Sequence, residues 1–562
     1  MGKRAAGGAL GMHGLNRALA ATSLALVSAL GFPACSSDET SPPQTQTPDW
    51  EARAKVLLSG PDWYRHAVFY EVYVRSFQDS DGDGIGDFKG LTSKLDYLKE
   101  LGVDGIWLMP VMPSPFIDSG YDVADYRGIN PDYGTMEDFE AFLEAAHDKG
   151  IRVIVDLVLN HTSDQHPWFT ESRSSKDNPK ADWYVWSDTE GTPNNGCGTH
   201  QAVFGDSAWQ FDETRQQFYF HRFYPGQPDL NYENPEVVKE TLDIARFWLE
   251  KGVDGFRCDV ISLLYESAND CGFLDETKGY IKQLRGVVDD YPGAVLLAEP
   301  TDLTNSSEYF GDGQDMFHMT FNFGYGYFWN FHFGGGLAQP IDDVFQRTLD
   351  EYPAGAQDAL VIGSHDVSRA WVNANRSEER YKLAALVQLT MKGSPFIYYG
   401  EEVAIRPSDD SIIDFRDEAR SPLPWNDEAP GYGFTTGSPW LAFGPDLAET
   451  NIAAQQASST SVYAFYRSIL ELRRGRAVWG NGALTLLQPS DPAVLAYLRH
   501  DDDLRYLVVL NLGFVDSSTS LSVADLGATK AEAVLGNAKL TFDGGGAALA
   551  IPPQGYGIFE LR

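Results

Sequence analysis

From Trp63 onward, short apolar runs alternate with stretches whose apolar residues recur three and four positions apart, the signature of strands alternating with amphipathic helices. Ala67 to Phe77 (AVFYEVYVRSF) is expected as a first strand, and Leu91, Leu95, Leu98 and Leu101 as a helix stripe stopped by Gly102. Gly105 to Met109 follows as a second strand. Phe139, Phe142, Leu143 and Ala146 mark another helix, with Thr135 and Asp138 as its N-terminal cap and Gly150 as its stop, before a third strand at Ile151 to Leu159. A stripe through Val238, Leu242, Ala245, Trp248 and Leu249 leads into a short buried strand, Gly255 to Val260. Ala294 to Ala298, Met316 to Phe323, Leu360 to Gly363 and Pro395 to Tyr399 complete the set.

Sustained over about 400 residues, this alternation predicts an α/β chain with a parallel sheet closed into a (β/α)8 TIM barrel, occupying residues 61–474. Roughly 90 residues rich in Trp, Asn, Gly and Pro separate the third strand from Gly255, far more than a crossover helix requires. An inserted subdomain at about 162–228 is expected there, standing over the barrel mouth. After Arg474 the texture changes to short alternating strands with Gly-rich turns, predicting a C-terminal all-β sandwich domain over 475–562.

The first 60 residues break the pattern. Lys3, Arg4 and Arg17 precede an apolar run from Ala18 to Leu30 that is too short to span a bilayer, as in an export signal. Residues 1–35 are expected as that signal and 36–60 as a linker. Three further cysteines, Cys197, Cys258 and Cys271, show no metal-ligand spacing, which disfavours a zinc site. Cys197 and Cys271 are able to pair in an oxidising compartment, and Cys258 is expected as a buried free thiol.

Aromatics make up 13% of the chain, an excess suited to stacking against rings, and the formal net charge is -37. That charge repels phosphates and anionic head groups and excludes nucleic acid as a partner, leaving a neutral or cationic ligand.

The candidate chemistry lies where strands end. The third closes on Asp156-Leu157-Val158-Leu159-Asn160-His161, the fourth on Arg257 and Asp259, the fifth on Glu299 and the seventh on His365-Asp366. Strand side chains alternate, so Arg257 shares a face with Asp259 and is expected to keep it ionised. Taken alone, that pair is as well explained as a structural ion pair. Three carboxylates and two histidines at one barrel mouth, where barrel enzymes carry their chemistry, are not explained by packing. Without a metal or cofactor motif among them, they suit glycoside cleavage, in which one carboxylate attacks the sugar carbon and a second acid protonates the leaving oxygen.

These motifs resemble those of the α-amylase family of retaining glycoside hydrolases: Asp156 to His161, Gly255 to Val260, Ala298-Glu299, His365-Asp366, and Gln227-Pro228-Asp229-Leu230-Asn231 in the insertion. The resemblance implies Asp259 as nucleophile, Glu299 as acid/base and Asp366 as the carboxylate that holds the ring distorted. It implies that Asp118, Tyr121, His161, His365 and Arg420 bind the non-reducing glucose, beside Arg257. Ser364 departs from the family's usual Asn. The loop Asp79, Asp81, Asp83, Ile85, Asp87 resembles the family's metal loop and implies a structural Ca²⁺. An EF-hand is ruled out, because its twelfth position is Gly90, which has no side chain to offer. Ala34-Cys35, followed by a Ser/Thr/Pro/Gln linker, resembles a bacterial lipoprotein cleavage site and implies a lipid anchor at Cys35 in an exported, membrane-attached protein.

Within the family, Gln227 to Asn231 and His166-Pro167-Trp168-Phe169 resemble the oligosaccharide α-glucosidases, and Val260 resembles enzymes that accept α-1,6 bonds. Ser262 and Leu263 replace the Lys-His of endo-acting amylases. Leu264-Tyr265-Glu266, Asp275-Glu276-Thr277 and Tyr309 to Gly313 resemble trehalose synthases. Hydrolysis of malto- or isomalto-oligosaccharides is the expected activity, with amylase-like, maltose-isomerising and non-catalytic glucan-binding readings behind it.

Overall fold

The computed structural model describes residues 49–562 apart from 191–201, 206, 266–272, 302–305, 313, 328, 330–334 and 409–414. The export signal, Cys35, Cys197, Cys271, Glu266 and Gly313 lie outside the described residues.

Eight parallel strands close into a barrel: β1 (Phe69–Val72), β2 (Gly105–Leu108), β3 (Arg152–Val158), β7 (Gly255–Asp259), β8 (Val295–Ala298), β9 (Met319–Phe321), β10 (Gln357–Leu360) and β11 (Ser394–Tyr398), with β11 returning to pair β1. Alternation along these strands builds the interior in layers. The lower inward positions are apolar: Phe69, Trp107, Ile154, Val295, Leu297, Ala359 and Phe396 form one buried cluster. Phe69 stacks on Phe396 at 4.3 Å between ring centroids. Gly105 is required beside them, because a Cβ there would meet the Phe69 ring at 2.7 Å. Two residues further up, the same inward positions become Glu71, Asp156 and, past the end of β8, Glu299. The apolar layers thus form a floor beneath a polar upper layer.

The helices form as their sequences dictate. Met136–Asp148 starts with a capping box in which Thr135 and Asp138 satisfy each other's backbone N–H. Pro235–Glu250 has Asn234 as its cap and proline in its first turn, and buries Leu242, Ala245, Trp248 and Leu249. After it, Gly255 takes φ of +140° so close to β8 that a Cβ would stand 2.1 Å from the Val295 carbonyl oxygen.

Three strand boundaries differ most from expectation, and one of them is Met316 to Phe323, which is strand only over Met319–Phe321. The run Ala67 to Phe77 is strand only over Phe69–Val72; Val74–Phe77 is a helical turn, equally buried, so apolar character could not separate the two states. The seventh barrel strand is Gln357–Leu360, earlier than Leu360 to Gly363. Its first residues are polar but buried and partnered: Gln357 donates to Ser394 Oγ, and Asp358 accepts from Asn322.

Between β3 and β7 lie helix Pro167–Ser174 and a three-stranded sheet of β4 (Trp186–Ser187), β5 (Trp209–Asp212) and β6 (Gln217–Phe220). After helix Val462–Arg473 come two antiparallel sheets. One comprises β12 (Ala483–Leu487), β13 (Val494–His500), β14 (Arg505–Asn511), β19 (Tyr556–Leu561) and β16 (Ala531–Gly536); the other β15 (Ser517–Ser522), β18 (Gly546–Ile551) and β17 (Lys539–Phe542). Leu498, Leu507, Val509, Leu521, Leu549 and Phe559 share a core between them. Buried Arg499 ties this domain to the barrel by donating to the carbonyls of Thr390, Val478, Trp479 and Gly482.

Candidate active site

Arg257 is the centre of the polar layer. Its Nη1 lies 2.6 Å from Asp259 Oδ1 and 2.9 Å from Asp156 Oδ1, and its Nη2 lies 3.0 Å from Glu299 Oε2. One 1%-exposed guanidinium therefore holds three carboxylates that come from β3, β7 and the end of β8. The β3–β7 register sets Asp156 opposite Arg257.

Directly after Asp259 the backbone inverts. Val260 takes φ 35°, ψ 38°, a left-handed conformation that costs a β-branched residue of order 1–3 kcal/mol. The inversion aims the Val260 N–H at Glu299 Oε2, 2.8 Å away. Among the described residues both contacts to the Glu299 side chain fall on Oε2, leaving Oε1 to carry a proton. Burial pushes the Glu299 carboxyl up to about 7; Arg257 opposes this, and the charges of Asp259 and Asp366 add to it. Burial raises Asp259 as well, and Arg257, expected to keep this acid ionised, opposes that rise. Within the pair, the shorter Arg257 contact favours charge on Asp259 and a proton on Glu299.

His365 and Asp366 lie beyond the end of β10, in a different electrostatic setting. His365 Nδ1 lies 2.6 Å from Glu71 Oε1, and its Nε2 lies 2.7 Å from Tyr121 Oη and 3.1 Å from Asp366 Oδ2. Asp366 Oδ1 accepts from Arg416 at 2.9 Å and stands 3.4 Å from Arg420. Burial works against the Asp366 charge, yet His365, Arg416 and Arg420 hold its carboxyl well below the usual range. Burial also disfavours charged His365, but Asp366 and Glu71 raise it to about 9.

The remaining sugar-binding candidates surround this group. Tyr121 stacks on the His365 ring at 5.3 Å and donates to Asp156 Oδ2 at 2.8 Å. Asp118 meets Arg416 Nη1 at 2.9 Å and accepts from Gln227 Nε2 at 3.1 Å, while the same Gln227 amide stands 3.2 Å from His161 Nε2. Burial lowers His161 to about 4, leaving it neutral. Arg420 donates to the His365 carbonyl at 3.1 Å and to Ser119 Oγ. Ser364, in the place of the family's Asn, accepts from the Asp366 N–H at 3.2 Å. Every predicted catalytic and sugar-binding residue thus falls in one connected network. Arg416 and Glu71 were not foreseen. The first stands four residues before Arg420, a weak signal, and the second sits inside an apolar strand.

The acidic loop is only partly as expected. Asp79, Asp81 and Asp87 bring carboxylate oxygens within 4.8 Å of one another, a donor set suited to a hard cation. Asp83 is outside that group: it is exposed, and its Oδ1 accepts from the Ile85 N–H at 2.8 Å. Ile85 has only a main-chain carbonyl to offer. Cys258 is buried and free, as expected.

A barrel whose mouth gathers an acid pair on one arginine, next to a cation-held third carboxylate, defines a class: carbohydrate-active enzymes that work at a sugar carbon. Residues 71–482 match the model of the α-amylase catalytic domain, and residues 484–558 that of the maltogenic amylase C-terminal domain. The chain belongs to the α-amylase family, glycoside hydrolase family 13, and is an enzyme acting on α-glucosidic bonds. It is 39% identical over 511 residues to the trehalose synthase/amylase TreS of Mycobacterium tuberculosis, covering 82% of this chain and 83% of that one. It is 35% identical over 522 residues to an oligo-1,6-glucosidase of Heyndrickxia coagulans, covering 80% and 92%. Among solved structures, the trehalulose synthase MutB of Pseudomonas mesoacidophila MX-45 superposes with a TM-score of 0.77 at 32% identity, over 89% of this chain and 99% of the other.

Proposed function

We propose that this enzyme removes single glucosyl units from the non-reducing ends of malto- and isomalto-oligosaccharides by double displacement, and passes them to water. The observation that supports exo action is Arg416, which joins Asp118 to Asp366; in this reading the bridge closes the site behind one sugar. A longer chain would have to break both ion pairs to run through.

In this reading Asp259 attacks the anomeric carbon as Glu299 protonates the glycosidic oxygen, and the leaving sugar departs with that proton. A covalent glucosyl–Asp259 ester forms. Glu299, now ionised, takes a proton from water, whose oxygen attacks the same carbon and releases glucose with its α configuration kept. Asp366, charged throughout, accepts hydrogen bonds from ring hydroxyls as the sugar flattens toward the oxocarbenium-like transition state. The layers of Trp107, Phe321 and Phe396 beneath seal the pocket from below.

The product time course from maltose, and then from isomaltose, tests this. Glucose alone supports it; maltodextrin cleavage without action on maltose sinks exo action. A second reading, maltose isomerisation, is favoured by the 39% identity to a trehalose synthase, and trehalose appearing before glucose would select it.

The same proposal includes Ca²⁺ at Asp79, Asp81 and Asp87, where it would neutralise the cluster and rigidify the loop after β1. It also includes export and lipid anchoring at Cys35. Radiolabelled palmitate incorporation that is lost in Cys35→Ala tests the anchor.

A further inference from the structure

Glu71 is the only inward carboxylate of β1, and the mechanism above does not use it. It is 1% exposed, and among the described residues its side chain has one hydrogen-bond partner, His365 Nδ1, at 2.6 Å. On the other side of that ring, Nε2 faces Tyr121 Oη at 2.7 Å and Asp366 Oδ2 at 3.1 Å. Tyr121 gives its proton to Asp156 Oδ2, at 2.8 Å, so its oxygen is left to accept from Nε2. With Glu71 ionised, the four contacts are mutually consistent only if both ring nitrogens carry protons. Were Nε2 bare, its lone pair would face the Asp366 carboxylate and the Tyr121 hydroxyl would have to choose between two acceptors.

We propose that Glu71 is a positioning residue for this reaction: its charge keeps His365 a doubly donating imidazolium, and that imidazolium fixes Asp366 where it meets the sugar. The inference rests on the reading of Asp366 as a sugar-binding carboxylate.

The surroundings single out Glu71 as the source of that charge. The groups facing the His365 ring are Glu71 from β1, Tyr121 and Trp107 from β2 and its loop, Asp156 from β3, and Asp366 beside it. Of His365 itself Arg420 meets the main-chain carbonyl, and both Arg416 and Arg420 face the far oxygen of Asp366. Asp156 is already engaged by Arg257 and Tyr121, and Asp366 by two arginines. Among the described residues, Glu71 has no cation other than His365 in contact. Nearby, the carboxyl of buried Glu401 is held well above the usual range by burial and by Glu71, so Glu401 adds no charge of its own beside the His365 ring. Arg369, next to Glu401, is clamped between Tyr398 and Tyr399 and donates to the Tyr399 carbonyl.

The test is a histidine-labelled nitrogen NMR titration of the full chain, with the His365 signal assigned by its loss in His365→Gln. In the wild type His365 is expected to titrate near 9. In Glu71→Gln, which keeps an oxygen acceptor for Nδ1 but removes the charge, the titration falls by at least about one pH unit. Kinetics on α-glucosyl fluoride, whose leaving group needs no proton from Glu299, should show the alkaline limb of kcat/KM moving down by the same amount. Glu71→Asp, retaining the charge, should bring the limb back. An unmoved His365 titration in Glu71→Gln, or a uniform loss of activity with an unmoved limb, overturns the proposal. If Glu71→Gln does not fold, wild-type His365 decides alone, since titration near 6.5 contradicts it. The NMR result does not depend on any substrate, so failure of the functional reading is seen separately, as inactivity toward α-glucosides.

Discussion

Two halves of the same barrel mouth solve opposite electrostatic problems. Around Asp259 and Glu299, two acids share the single guanidinium of Arg257, and burial raises both. Around Asp366, one acid is met by His365, Arg416 and Arg420 and is held well below the usual range. The first half is short of positive charge and so is poised to exchange a proton; the second has several cations around Asp366, which therefore remains ionised. An acid/base pair and a permanently charged sugar ligand need those two conditions, and the ratio of cations to carboxylates sets them.

The comparison breaks most completely at the nucleophile. Asp259→Asn should lower kcat on maltose at least about 10⁴-fold with the fold intact by circular dichroism, since no other carboxylate is placed to form the ester. Wild-type turnover would exclude the double displacement.

Glu299→Gln should cost roughly 10²–10⁴ in kcat on maltose and far less on α-glucosyl fluoride. The pH sign follows from its raised pKa of about 7: the carboxyl is protonated below that value and loses its proton above it. Wild-type kcat/KM on maltose should therefore fall as pH rises through about 7, and that limb should be absent from Glu299→Gln on the fluoride.

Removing a cation from the rich half has a smaller effect. Arg416→Ala takes charge-assisted contacts from Asp118 and Asp366, worth about 1.5–3 kcal/mol each. KM for maltose should rise about tenfold or more, while cleavage of longer maltodextrins gains relative to maltose. Steady-state kinetics on the two substrates checks both.

The smallest effect is expected far from either half. Chelation of Ca²⁺ should lower the melting temperature by about 2–4 °C, the shift expected for roughly 1 kcal/mol in a domain of this kind. An unchanged transition in excess chelator removes the metal from the account.

The difference between the halves also marks how far the sequence could be read. Asp259, Arg257 and Glu299 were legible because each follows a short apolar strand, and period two puts the arginine and the aspartate on one face. His365 and Asp366 were legible as a motif, although the strand before them is displaced from its expected place by the buried, partnered Gln357 and Asp358. Arg416 and Glu71 were not legible as site residues. Glu71 meets His365 across 294 positions of sequence, and Arg416, in the short helix Phe415–Ala419, meets Asp118 from a distant segment of the chain. No local spacing encodes such contacts; closure of the barrel creates them. The acidic loop was legible as a cluster, but not in its detail: Asp83 stands outside the carboxylate group and accepts from the Ile85 N–H.

The central claim, that Asp259 and Glu299 act as nucleophile and acid/base on a single terminal glucose, is tested most directly by proton NMR of the anomeric signals in the first minutes of maltose cleavage. The account predicts that the sugar released from the non-reducing end appears first as α-glucose and only later mutarotates. β-Glucose appearing first would mean direct attack by water and would contradict it.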